Sequence, residues 1–193
     1  MKRYIRQLLC VVTLLCMLPT SALAASLAPG HAMYRELDTT LIADAGHAAL
    51  INAVSGNSIS TVIHMTASNG MEVISFSAYG QDEWGCPFEY WGEFYLGTGK
   101  PYTRAKNTAQ SVLQEDPLYT AVNLLNLWDD PSLYSGTIQP DDIYSIRCDG
   151  LVEYCYEYCD IMIDSYNISD PTELDTHPIR TPRTQMNLMT PVQ

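Results

Sequence analysis

The chain has 193 residues, 47% of them hydrophobic, with 22 acidic against 10 basic side chains and a formal net charge of −12. That length suits one domain with enough chain to bury a core. The acidity repels polyanions, so nucleic acid and anionic lipid are excluded as partners, and it fits solubility outside the cytoplasm.

The first 24 residues read as a secretory signal peptide. Lys2, Arg3 and Arg6 make a basic start, residues 8–18 are apolar but short for a bilayer span, and Ala22-Leu23-Ala24 is a small-residue cleavage pattern. Cleavage is expected after Ala24, giving a secreted or periplasmic product. No small residue precedes Cys10 or Cys16 as a lipid anchor would require, and no later segment is apolar enough to span a membrane. The signal holds three of the 10 basic residues and no acidic ones, so the remaining 169 residues carry a net charge of −15.

In chain order, residues 32–37 form a first short strand. Residues 46–54, small and apolar, form a second, closed by Ser55-Gly56-Asn57. Residues 60–66 are β-branched and form a third. Ser68-Asn69-Gly70 is a hairpin turn, after which residues 71–78 return as a fourth strand, and aromatic-rich residues 88–96 form a fifth. Beyond Gly97-Thr98-Gly99-Lys100-Pro101 the pattern turns helical. Ala105, Ala109, Val112 and Leu113 have helical spacing up to the stop at Asp116-Pro117. Leu118, Val122, Leu125 and Trp128 suggest a second helix over 118–128. Residues 129–142 are a polar loop. Residues 148–163 form a last helix with Leu151, Val152, Cys155, Cys159 and Met162 inward. The Pro/Thr-rich tail, 170–193, wraps the surface or is loose. Strands first and helices after them make an α+β domain over 25–169, an antiparallel sheet packed against helices.

Two of the six cysteines leave with the signal. Cys86, Cys148, Cys155 and Cys159 remain, and an even number in an exported chain suggests a disulfide framework. Three of these lie within twelve residues at spacings of two turns and one turn of helix, poor geometry for a bridge. A bridge from Cys86 to Cys155 or Cys159, and three buried free thiols, both stay open. Either leaves Cys148 free.

Cys148 begins a helix, where unpaired backbone N–H groups and partial positive charge favour a thiolate. With an imidazolium close by, such a thiol can fall from about 8.5 to roughly 3.5–7.5. His47 is the candidate general base, and His64 on the neighbouring strand the group that orients it. The Cys148 N–H is a candidate oxyanion donor. Arg147 precedes the thiol and Asp149 follows it, so their charges act on it in opposite directions. Trp84, Trp91 and Tyr95, within the run that also holds Phe88, Tyr90 and Phe94, are candidate walls of a substrate groove. The alternative for that run is plain strand packing. A metal site of His47, His64 and Cys148 lacks C-x-x-C or H-x3-H support, so no cofactor is expected.

Gly46-His47-Ala48-Ala49-Leu50-Ile51, Val62-Ile63-His64-Met65 and Gly70-Met71-Glu72-Val73-Ile74 resemble the histidine half of NlpC-like cell-wall peptidases, which read H-V-G-I-Y, I-H-A and G-V-R-I. Cys148-Asp149-Gly150-Leu151-Val152-Glu153-Tyr154 resembles their nucleophile helix, C-S-G-L-V-x-Y. With the cysteine last, the order is that of the circularly permuted papain-like amidases, the YiiX/YaeF-like and lecithin:retinol acyltransferase-like groups. Pro29-Gly30 before residues 32–35 is similar to their P-G-D opening, and Ala105, Ala109 and Asp116-Pro117-Leu118-Tyr119 to their A-x3-A helix and D-x-x-Y turn. His31 stands where the family often has Asp, and Asp149 where it has Ser or Thr.

The resemblance implies a permuted papain-like fold with Cys148 as nucleophile, His47 as base and His64 as orienting residue. The reaction it implies is attack on an amide or ester of a cell-wall peptide or lipid. An inactive binding module of the same fold, or an acyltransferase, are the alternatives.

Overall fold

The computed structural model describes residues 26–37, 46–81, 85, 87–174 and 181–192. The expected signal segment, Trp84 and Cys86 lie outside the described residues. The elements are β1 (Ala32–Glu36), β2 (Gly46–Ser55), β3 (Ser58–Thr66), β4 (Gly70–Ser75), α1 (Phe76–Tyr79), β5 (Tyr90–Tyr95), α2 (Tyr102–Glu115), β6 (Leu118–Tyr119), β7 (Leu125–Leu127), β8 (Ile143–Ile146), α3 (Cys148–Glu157), α4 (Pro182–Met186) and β9 (Thr190–Pro191). The domain is α+β. Six strands pair antiparallel in the order β4-β3-β2-β1-β5-β9, and a second sheet has the order β6-β8-β7.

The near-continuous apolar run of β2 makes sense because the large sheet is covered on both faces. Alternate residues divide between two clusters. Ala48, Leu50, Ile63 and Tyr34 pack with α2 and α3. Ala49, Ile51, Val62 and Met33 pack with Tyr79 of α1. α2 buries Ala105, Ala109 and Val112, one stripe at helical spacing. It stops at Asp116, whose φ of 49° is left-handed, just before Pro117.

Four expectations are corrected. No helix spans 118–128. Leu118, Val122 and Trp128, three of its four supposed inward residues, are 55%, 69% and 65% exposed. The segment instead lends β6 and β7 to either side of β8. A roughly fitting apolar period lost here to strand pairing with a distant segment. The fourth strand stops at Ser75, whose Oγ accepts from the Ala78 N–H at 3.1 Å and caps α1. The last helix ends at Glu157 rather than at residue 163. Asp160 turns left-handed at φ 59°, and the bonds Ile161 N–H to Tyr156 O (2.9 Å) and Asp160 N–H to Glu157 O (3.0 Å) close it. Met162 is therefore exposed.

The fourth correction concerns the tail. Of its described residues, 170–174 and 181–192, the second stretch is folded onto the domain: α4 buries Gln185 and β9 extends the large sheet beside β5. Within the 129–142 loop, Pro131–Leu133 and Pro140–Asp142 are short 3-10 turns. Cys148, Cys155 and Cys159 are free, buried thiols. No helix of the described residues is long and apolar enough to cross a membrane.

Gly150 fixes how closely α3 approaches the rest of the chain. A Cβ there would lie 2.0 Å from the Leu124 carbonyl oxygen, a backbone atom that cannot swing aside. Gly150→Ala should therefore lower the urea-unfolding free energy by about 1–3 kcal/mol. Gly56→Ala, in an open turn at φ +59°, should cost about 1 kcal/mol at most, through backbone strain alone.

Candidate functional site

β8 delivers the chain to α3 through Arg147, whose backbone is extended and whose N–H donates to Leu124 O at 2.9 Å. Cys148 follows as the first helical residue, buried. Asp149 does not cap the helix. Its fully buried carboxylate turns back on the Arg147 guanidinium in a two-bond fork, Nε to Oδ1 at 2.5 Å and Nη2 to Oδ2 at 2.7 Å. This is the partnership that lets a carboxylate sit beside a buried thiol at all.

β2 and β3 present the two histidines. Ala49 pairs with His64 across the ladder, which leaves His47 Nε2 and His64 Nδ1 2.9 Å apart. One ring must donate and the other accept. His64 in turn faces its cross-strand partner Glu72, with Nε2 3.4 Å from Oε1. A carboxylate at that end favours the proton on His64 Nε2. His64 Nδ1 is then the acceptor, His47 Nε2 the donor, and His47 Nδ1 is left as a free base. Asn69 Nδ2 holds Glu72 Oε1 at 2.9 Å. Tyr79 lies against both rings, centroids 5.6 and 5.9 Å away, and donates to His47 O at 3.1 Å.

The structure joins the two histidines directly and brings Cys148 to the next residue along. Cys148 packs in the cluster of Ala48 and Leu50, while the imidazoles lie against Tyr79. The backbone N–H groups of Ala48 and Asp149 point hydrogen bonds at the sulfur. Among the described residues, no hydrogen bond joins Cys148 to His47.

The surroundings do not produce the expected acidic thiol. Burial, and then the Asp149 carboxylate, push Cys148 up to about 12, against the opposing pull of the Ala48 N–H, Arg147 and the Asp149 N–H. Burial holds His47 well below its ordinary value, helped by the charge of Arg35 and by His64. Burial also lowers His64 to about 4, although Glu72 works in the other direction. At neutral pH the resting site is a thiol beside two neutral imidazoles.

The aromatic candidates fall apart spatially. Trp91 packs on Gly46, where a Cβ would come within 2.5 Å of its ring, and carries Arg183 at 4.9 Å over its face. Tyr95 stacks on His31 at 5.7 Å. Neither lines the cleft of about 740 Å³ that opens beside the histidines; Phe88 of the same run does. The described residues contain no group of three His, Cys, Asp or Glu placed to hold a metal ion.

Arg35, Glu72 and Tyr79 were not among the sequence candidates. Two of them follow from register. Counting back from the Ser68-Asn69-Gly70 turn sets Glu72 opposite His64, and the β1–β2 ladder sets Arg35 opposite His47. Tyr79 has no such signal, because its place depends on α1 folding over the sheet.

No family model, curated protein or solved structure matches this chain.

Two outcomes are expected. Because the folded-state values of His31 and His64 lie at about 4, and His47 is lowered too, the unfolded chain takes up these protons first. Stability is fully present above about 6.5 and is lost as pH falls toward 4. Urea midpoints over that range should show the decline, with a shallower slope in His64→Asn. In addition, iodoacetamide should label Cys148 slowly at neutral pH, with a midpoint above that of an ordinary thiol. Asp149→Asn should bring that midpoint down, read by peptide mass spectrometry.

Proposed function

We propose that this chain is an exported thiol hydrolase of amide bonds with a circularly permuted papain-like arrangement, in which Cys148 is the nucleophile, His47 the base and His64 the orienting residue. The observation that carries this reading is the His47 Nε2 to His64 Nδ1 contact of 2.9 Å, with Glu72 behind it and a helix-initiating cysteine against the adjacent Ala48 N–H.

The thiol is neutral at rest, so the chemistry is general-base catalysis rather than attack by a stored thiolate. His47 Nδ1 takes the Sγ proton as sulfur attacks the carbonyl carbon, and the Cys148 backbone N–H receives the developing oxyanion. Collapse breaks the C–N bond, and His47 returns the proton to the leaving amine. Water, deprotonated by the same nitrogen, then hydrolyses the thioester. The step requires Sγ to close on His47 Nδ1 when substrate binds, a tightening that apo geometry often lacks. An acyltransferase would differ only in the acceptor, with an added amine or alcohol capturing the acyl group.

A second reading is a binding module of the same fold without turnover. The high thiol pKa and the sulfur's backbone partners favour it.

Acid-quenched reaction with an N-acyl p-nitroanilide, followed by mass spectrometry, separates the readings. A hydrolase gives an acyl adduct on Cys148 and free nitroaniline. Both disappear in Cys148→Ala, and turnover falls by roughly 10²–10⁴ in His47→Ala. Glu72→Gln should cost less, because it disturbs only the tautomer preference. Equal binding by wild type and Cys148→Ala, with no adduct in either, would establish the module.

A further inference from the structure

We infer that the cleft beside the histidine pair binds a ligand bearing a single carboxylate, held by the guanidinium of Arg35. The cleft, about 740 Å³, is within the usual size of small-molecule sites. Arg35, His64, Asn69, Glu72, Tyr79 and Phe88 contribute to its wall.

Arg35 is only 7% exposed. Its guanidinium lies 3.8 Å over the Phe88 ring and 5.0 Å from the Tyr79 centroid, and Nη1 donates to Glu36 O at 2.8 Å. Nε has no hydrogen-bond partner, and among the described residues no carboxylate forms an ion pair with Arg35. The aromatic faces fix the plane of the fork and stabilise the cation, but they supply no counter-charge. Among the described residues Glu36 is the carboxylate whose charge acts on Arg35, and it makes no ion pair with it; a buried, planar, preorganised guanidinium with no two-bond anion among these residues matches a carboxylate in that geometry.

The rest of the wall limits the charge of the ligand. Glu72, on the same cleft, and the net charge of −12 disfavour a phosphate dianion, so a monoanion is the better fit. His64 Nε2 faces Glu72 Oε1 at 3.4 Å on this cleft, and Arg35 lies opposite His47 on the β1–β2 ladder. The ligand would therefore be a substrate whose scissile amide neighbours a free carboxylate, such as an N-acyl amino acid or the carboxyl end of a peptide. That extension rests on the hydrolase reading; the binding does not.

The test compares N-acetylglycine with N-acetylglycinamide, titrated into the Cys148→Ala chain by calorimetry and followed at the Arg35 Nε–H resonance. That resonance is assigned by its loss in Arg35→Gln. The acid should bind roughly tenfold tighter than the amide, the worth of one charge-assisted hydrogen bond, and should move the resonance. Glu72→Gln should tighten the acid further, and Arg35→Gln should abolish the preference. If Arg35→Gln does not fold, Arg35→Lys supplies the assignment and the acid–amide comparison decides. Equal affinities, an unmoved resonance, or no binding of either compound would overturn the proposal. Turnover plays no part in the Cys148→Ala chain, so acid-selective binding alongside a failure of the wild type to form an adduct would sink the hydrolase alone.

Discussion

The α3 helix is buried along its whole length, and the rest of the molecule is arranged to make that tolerable. Three of its residues are carboxylates one turn apart, Asp149, Glu153 and Glu157, and none is appreciably exposed. Each is answered from a different part of the chain. Asp149 takes the Arg147 fork. Glu153 Oε2 accepts from Gln185 Nε2 at 2.7 Å, and Glu157 Oε2 from the Ile168 N–H at 2.6 Å. Gln185 also donates to Asp149 O at 3.0 Å and accepts from Tyr34 OH at 2.7 Å. One side chain of the tail thus joins the helix to the central strand. Buried polar groups are tolerated only when satisfied, so the tail and the 160s loop complete the core and do not simply cover it.

The same burial decides the chemistry open to Cys148. A helix start exposed to solvent and flanked by a cation would favour the thiolate. Here the helix start is pressed on the Leu124 backbone through Gly150, and the adjacent cation, Arg147, is already committed to Asp149. Desolvation then outweighs the favourable N–H contacts, and the thiol stays protonated. The histidines respond to the same loss of water in the opposite direction, since burial disfavours their charged form. The thiol and the imidazole are each held neutral, so on the proposed hydrolase reading a proton must move during the reaction and not before it.

Much of this was legible in the sequence. The five strands of the hairpin region, the α2 helix and its stop, and the start of α3 follow from apolar period and turn chemistry, which act locally. What failed had more than one cause, some of it long-range. Residues 118–128 have a rough helical period, yet β8 recruits them from both sides. Met162 fits the helical face but comes after the left-handed Asp160. Trp91 and Tyr95 looked like groove walls because aromatic side chains suit pockets and sheet packing equally, and only the fold shows them on Gly46 and His31. The His47–His64 pairing was legible as adjacent strands. The height of the thiol pKa was not, because it depends on what covers Cys148.

Arg35 links the two halves of the site. Its charge lowers both His47 and His64 and interacts with Cys148, so it opposes protonation of the imidazoles. A carboxylate seated on the guanidinium would cancel most of that field at short range, where screening by salt is weak. His47 would then become more basic in the complex than in the free protein, while Glu72 continues to hold the tautomer that leaves Nδ1 open. Ligand charge and proton transfer would be coupled without any movement of the backbone. On the proposed reading, the ligand best able to raise the basicity of His47 is one that seats a carboxylate on Arg35, which among the described residues forms no ion pair, so that selectivity and catalysis would share one cation.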